Sequence, residues 1–103
     1  MVILRDNTID TANISEDDKK IKNITGSTLS FQIDGSATLS VNGSHANFDS
    51  DQEYALAVVN MTTLDKTTSA SGPGIFMVVV TGIDEVSLNI SGSGVIHWKE
   101  LGD

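Results

Sequence analysis

The sequence predicts an all-β domain, an antiparallel β-sandwich or jelly roll of about six to eight strands preceded by an extended N-terminal arm. Apolar and polar residues alternate over several short segments, which is the periodicity of a half-buried strand. Clusters of Gly, Asn and Asp separate these segments at short intervals. A single proline occurs in the 103 residues, and no amphipathic helical stripe of useful length is visible. Together these observations favour strands over helices.

Four segments carry the alternating pattern, and the first of them shows it most clearly. Leu29, Phe31 and Ile33 are expected to point into a core, with polar residues between them pointing outwards. Asp34-Gly35 and Asn42-Gly43 are typical of hairpin turns. The four segments span residues 27–34, 37–42, 85–91 and 95–101.

Two further segments, residues 54–61 and 74–81, are apolar on both faces when they are read as strands. Such a strand needs cover on both sides, and one sandwich core covers only one. We therefore expect a second copy of the chain to cover the other side, with an oligomer interface made of Ala57, Val59, Met61, Phe76, Val78 and Val80. Periodicity does not say which face is inside, so the opposite set remains an alternative: Leu56, Val58, Ile75, Met77 and Val79.

Residues 1–24 differ from the rest of the chain, and we divide it into this N-terminal arm and a sandwich domain at residues 25–103. Between Asp6 and Lys22 the sequence is polar, charged and weakly patterned. We expect an extended segment that serves in assembly or docking. The alternative is one helical turn capped by Ser15, with acidic residues following it.

The composition excludes several classes of function. The formal net charge is −8, with six basic and fourteen acidic residues. A chain of this charge is poorly suited to bind nucleic acid or an anionic membrane surface, since both depend on clustered Lys and Arg. The absence of cysteine excludes disulfides and thiolate chemistry. The first residues lack the pattern of a signal peptide, so we expect the protein to be made in a cytoplasm.

No residue pattern predicts catalysis or a cofactor. The two histidines, His45 and His97, lie in different settings, and no nucleophile elbow selects a serine. We expect a protein that is not an enzyme and that binds no cofactor. A weak candidate for a calcium site is the alternating oxygen set of one loop, which lacks the required Gly and final Glu: Asn47, Asp49, Asp51 and Glu53.

Two aromatic residues are candidates for contact with a glycan. Tyr54 stands at the head of a strand, and Trp98 lies on the last strand. Trp98 shares a face with Ile96, which favours a core position for its ring. A carbohydrate-binding or receptor-binding module, using these residues and the polar loops 43–53 and 62–73, is the alternative to a purely structural function.

The segments at 37–44, 54–56 and 74–92 together combine short apolar strands with turns that contain glycine. Over residues 38–103 this combination resembles small virion structural proteins of tailed bacteriophages. The resemblance implies a head fibre, a capsid decoration protein, or a tail or baseplate component. It also implies a homotrimer whose N-terminal arm docks to other virion proteins, and in some cases a cell-surface glycan as ligand. The expected function is therefore that of a structural protein located in the virion.

Overall fold

The computed structural model describes residues 1–45 and 52–102. These residues form eleven strands and two short 3-10 helices, Thr11–Asn13 and Asp17–Lys19. In chain order the strands are β1 (Val2–Asp10), β2 (Lys20–Ile21), β3 (Thr28–Gly35), β4 (Thr38–Ser44), β5 (Tyr54–Ala55), β6 (Val58–Asn60), β7 (Lys66–Thr67), β8 (Ala70–Ser71), β9 (Gly74–Val79), β10 (Glu85–Ser91) and β11 (Gly94–Gly102).

The strands make two antiparallel sheets that pack into a β-sandwich, which confirms the predicted fold class. One sheet has six strands in the order β1-β11-β3-β9-β6-β7. The other has five, with the order β2-β10-β4-β5 and β8 paired to β4. The strand count exceeds the predicted six to eight because several connections contain two-residue strands, which are too short to leave a periodic pattern.

The core lies between the sheets and contains the inward residues of the alternating segments. Leu29, Phe31 and Ile33 of β3 are fully buried, as the period-two pattern predicts. The facing sheet supplies Leu39 and Val41, and the core is completed by residues such as Ile9, Ala70, Val86, Leu88 and Ile96. Burying each large aliphatic side chain contributes about 1.5–3 kcal/mol to stability.

The N-terminal segment is part of the sandwich, and this corrects the prediction of a separate arm at residues 1–24. β1 pairs with β11 from Val2 to Asp10, with a shift in register between Ile3 and Arg5, and β2 pairs with β10. Ile9, Ile21 and Ile24 are core residues. Their apolar side chains are too widely spaced to give a periodic pattern, but each is covered by residues distant in sequence.

A helical turn does form within this segment, as in the alternative reading. The Asp18 amide donates to Ser15 Oγ at 3.3 Å, and the Ser15 amide donates back to Asp18 Oδ2 at 3.1 Å. This reciprocal pairing resembles a capping box, although the N-cap residue of the helix is Glu16 and not the predicted Ser15. The turn is a 3-10 helix and places Lys20 and Ile21 at the edge of the five-stranded sheet.

The segment at 54–61 is two short strands. Tyr54 and Ala55 pair with β4 in the five-stranded sheet, whereas 58–60 pairs with β9 in the six-stranded sheet. Between them the chain crosses from one sheet to the other, so the segment has no single pair of faces. Ala57 is an exposed residue in this crossing and belongs to neither strand.

The segment at 74–81 has two apolar faces, as predicted, but the inner face is the one assigned to the interface. Phe76, Val78 and Val80 are buried between the sheets of a single subunit. Their assignment to an oligomer interface is therefore corrected, because they already pack in the core. The accessible face of β9 carries the alternative set, Ile75, Met77 and Val79.

Candidate functional site

An exposed apolar surface lies on the outer face of the six-stranded sheet. On β9, Ile75, Met77 and Val79 alternate with the core residues and point away from them. Val59 of β6 pairs with Met77, and the Met61 amide donates to the Ile75 carbonyl at 2.9 Å. We call these five residues the apolar stripe: Val59, Met61, Ile75, Met77 and Val79.

Solvent reaches much of the apolar stripe in a single subunit. Val79 is 68% exposed, Ile75 48% and Met61 41%, whereas Val59 and Met77 are partly buried. No charged residue belongs to the stripe, and Lys66 of β7, which pairs with Val59, is a charged neighbour at its margin. A contiguous apolar surface on a small acidic protein is typical of an interaction site.

A second exposed apolar segment begins β1 at the edge of the same sheet. Residues 1–4, Met-Val-Ile-Leu, are all exposed. Ile3 pairs with Leu101, Leu101 with Thr28, and Thr28 with Val79. Since paired residues of antiparallel strands share a face, this row connects the N-terminal segment to the end of the apolar stripe.

The rest of the outer face is polar, and its central feature is a row of hydrogen bonds around His97. Thr8 Oγ1 lies 3.0 Å from His97 Nδ1, and Asp34 Oδ2 lies 3.2 Å from His97 Nε2. Gln32 Nε2 donates to the other oxygen of Asp34 at 3.1 Å. Thr8 and Asp34 therefore lie within hydrogen-bonding distance of opposite nitrogens of one imidazole ring.

This row contains a hydroxyl, an imidazole and a carboxylate, which are the residue types of a catalytic proton relay, but it lies on an open sheet surface. The side chains of His97 and Asp34 are about half exposed, so water screens their interaction. Gln32 also donates a hydrogen bond to the Asp34 carboxylate. The row therefore orders four polar side chains across strands β1, β11 and β3, as cross-strand pairs do.

A buried ionic interaction between Glu100 and Arg5 holds β1 against the rest of the sandwich. Glu100 is 1% exposed and accepts hydrogen bonds from Arg5 Nε, from the Gly26 amide at 2.8 Å and from the Thr25 amide at 3.0 Å. Arg5 also donates to the Lys22 carbonyl at 2.6 Å. Sequence reasoning missed this group, although an acidic residue at an inward position of β11 is a signal, since a buried carboxylate requires partners.

The environment of Glu100 makes its ionised form stable. Burial by itself raises the pKa of Glu100, but the hydrogen bond from Arg5, those from the Gly26 and Thr25 amides, and the charge of Arg5 together outweigh it. The pKa of Glu100 in the folded protein is therefore below its ordinary value of 4.5. A lowered folded-state pKa means that Glu100 stabilises the fold above its ordinary pKa and loses that contribution as the pH falls through the folded value.

We therefore expect the stability difference between the parent protein and Glu100→Gln to shrink at acid pH. The parent should be more stable near neutrality, and the difference should fall as the pH drops below about 4.5, because protonation removes the charge that the variant already lacks. Urea unfolding of both proteins from about pH 7 to about pH 3 measures this. A constant difference over that range would contradict it.

A small hollow is found at the edge of the five-stranded sheet. Its volume is about 330 Å³, and it is lined by Gly43, Ser44, His45, Gln52, Tyr54, Leu56 and Ile83. Tyr54, the predicted glycan contact, is 69% exposed there. We call this feature the Tyr54 hollow.

Trp98, the other predicted glycan contact, is a core residue. Its side chain is 7% exposed, and the Arg5 guanidinium lies 5.8 Å from the ring centroid. Trp98 belongs to the hydrophobic core cluster. The prediction of a glycan contact at Trp98 is therefore corrected, and the core position favoured by its shared face with Ile96 is the observed one.

Of the weak calcium candidates, Asn47, Asp49 and Asp51 lie outside the described residues. Glu53 is described, is exposed, and accepts a hydrogen bond from Ser87 Oγ at 2.9 Å. Within residues 1–45 and 52–102, no group of three His, Cys, Asp or Glu side chains is placed to hold a metal ion. The same part of the chain contains no helix with the length and apolarity to span a membrane.

Two solved structures share this arrangement of strands. The SPBc2 prophage-derived protein YomS superposes with a TM-score of 0.65 at 15% identity, over 96% of this chain and 97% of YomS. The PBSX exported protein XepA superposes with a TM-score of 0.67 at 12% identity, over 93% of this chain and 37% of XepA. The fold is one that phage-derived proteins use. No protein-family model and no curated protein sequence matches the chain.

Proposed function

We propose that the protein is a non-enzymatic structural component of a phage or prophage particle, and that it self-associates through the apolar stripe. The observation that carries the proposal is the second apolar face of β9, which remains exposed after the sandwich core has formed. The similarity in fold to YomS over nearly the whole of both chains supports the phage setting.

A second copy of the chain is the occupant that the stripe fits best. Each copy carries a net charge of −8, so copies repel one another except where their contact surface is uncharged. The stripe is such a surface. Its side chains stand on β9, on β6 and on the first residue after β6. Sheet faces pack on each other about 10 Å apart, as in a sandwich core. A contact between the apolar stripes of two copies is also self-complementary, because both copies contribute the same residues.

Contact with other virion proteins is assigned to the exposed residues at 1–4, which are the part of the predicted arm that stays accessible. They are apolar and lie on an edge strand of the six-stranded sheet. An edge strand has unpaired backbone groups on one side, which allow another chain to add a strand. A contact of stripe with stripe joins two copies, so the trimer implied by the resemblance requires a further contact outside the stripe, and the solution mass determines the copy number.

Self-association is tested by the substitution Val79→Asp. The parent protein should sediment at a multiple of the 10.9 kDa subunit mass, whereas the variant should return to a single subunit. Association should weaken by about a hundredfold, because an unpaired carboxylate buried in an apolar contact costs about 3 kcal/mol. Sedimentation velocity over a concentration series measures the change, and circular dichroism verifies that the variant is folded.

Asn89→Asp is the matched control. Asn89 is exposed on β10 of the other sheet, and its substitution adds the same charge at a distance from the stripe. The control should retain the parent mass. A parent protein that remains a single subunit at every concentration would refute self-association. Equal dissociation of both variants would show that net charge, and not the stripe, controls the mass.

A further inference from the structure

The Tyr54 hollow has an apolar floor made of Leu56 and Ile83, and the absence of a side chain at Gly43 leaves space above it. A side-chain carbon added at Gly43 would lie 3.0 Å from Leu56 Cδ1 and 3.3 Å from Ile83 Cγ2. Leu56 and Ile83 are half-buried and pack against the core, so they are held in place from beneath. The floor is therefore a fixed apolar surface rather than a set of loose side chains.

The upper wall of the hollow is an aromatic ring. Tyr54 pairs with Gly43 in the β4–β5 ladder, and its side chain stands where the five-stranded sheet ends. The ring is 69% exposed although the backbone is hydrogen bonded into a sheet. An exposed aromatic ring on an ordered backbone offers a large contact area at a small cost in conformational entropy.

Polar groups surround the apolar floor. Ser44, His45 and Gln52 line the hollow. His45 Nδ1 lies 3.7 Å from Asp84 Oδ2. The hollow thus combines an aromatic face, an aliphatic floor, and a hydroxyl, an amide and an imidazole within a volume of about 330 Å³, at the small end of the range for ligand sites.

We infer that the Tyr54 hollow binds a neutral oligosaccharide. A sugar ring has an apolar face of C–H groups that packs on an aromatic ring, and a periphery of hydroxyls that exchange hydrogen bonds with amide, imidazole and hydroxyl groups. The residues of the hollow match both features. The net charge of −8 and the carboxylate of Asp84 beside His45 oppose an anionic sugar, which makes a neutral one the fitting ligand.

Saccharide binding at this hollow is independent of self-association. Tyr54 belongs to an edge strand of the five-stranded sheet, whereas the apolar stripe lies on the outer face of the six-stranded sheet. A subunit whose stripe is covered by another copy therefore still presents the hollow to solvent. This goes beyond a structural function, because it gives the assembled particle a surface that recognises a ligand.

The test is titration of the full chain with maltotriose and with triacetylchitotriose, followed by ligand-observed NMR and calorimetry. We expect saturable binding of at least one of them with a millimolar dissociation constant. Tyr54→Ala should weaken that binding by about tenfold or more, because the stacking surface is lost, whereas Tyr54→Phe should retain most of it. Sialyllactose, which carries a carboxylate, should bind more weakly than the neutral sugar.

Val79→Asp is the control that separates the two functions, since it should lose self-association and keep saccharide binding. Saccharide binding is refuted if neither neutral sugar binds saturably, if Tyr54→Ala binds as tightly as the parent, or if only sialyllactose binds. Loss of binding in a folded Val79→Asp variant would likewise refute a site at the Tyr54 hollow. None of these results bears on the sedimentation of the parent protein, so each proposal can fail without the other.

Discussion

Val78→Asp is expected to abolish folding of the domain. Val78 is 1% exposed, pairs with Leu29 of the neighbouring strand and packs in a core cluster whose described members are all apolar. Burying an unpaired charge costs more than the few kcal/mol that separate folded and unfolded domains. The variant should be unfolded or insoluble, as measured by circular dichroism and by the dispersion of amide signals in NMR.

Val79→Asp provides the comparison, because it adds the same charge one residue further along β9. Val79 points to the outer face, so the charge stays in water. This variant should have the spectrum of a folded protein and a stability within about 0.5 kcal/mol of the dissociated parent subunit. Opposite outcomes at adjacent positions follow from the period of two in a strand. If Val78→Asp folds normally, the assignment of β9 faces is wrong.

Glu100→Ala is expected to cause the second-largest loss of stability. The substitution leaves the Thr25 and Gly26 amides and the Arg5 guanidinium without their common acceptor. Removing one partner of a buried ionic group costs about 3–5 kcal/mol. For a domain of this length that corresponds to a fall in Tm of more than about 10 °C, which thermal unfolding followed by circular dichroism will measure.

Lys99→Ala is the matched control, since Lys99 is the neighbouring residue of β11 and is exposed on the outer face. Its removal should change the free energy of unfolding by less than about 0.5 kcal/mol. Hydrogen exchange adds a local readout, because amides of β1 should exchange faster in Glu100→Ala than in the control. Equal stability of the two variants would show that the Arg5–Glu100 contact does not hold β1 in place.

Alternation within single strands was the most reliable guide to the core. The inward positions of β3 were predicted, because this strand has one buried and one solvated face and its apolar and polar residues alternate accordingly. The N-terminal segment shows no such alternation of apolar and polar residues. β1 has one buried residue, Ile9, within its nine, so its sequence resembles that of an exposed segment.

The candidate sites, too, could be predicted only in part from the sequence. Tyr54 was found from its residue type and position, but the hollow beside it is formed by Gly43 and Ile83, which come from other parts of the chain. The groups that meet at Glu100 span positions 5 to 100, and His97 joins Thr8 to Asp34. Contacts between residues so far apart in sequence leave no local pattern.

The sequence by itself determined that this chain is a β-sandwich and that one of its strands is apolar on both sides. Those properties depend on local periodicity and composition. Only the tertiary structure decided that Phe76, Val78 and Val80 face the core while Ile75, Met77 and Val79 face water. The two sets have nearly equal apolarity, so the hydrophobic effect acting on one strand cannot choose between them. Pairing with β3 and β6, together with the facing sheet, makes the choice.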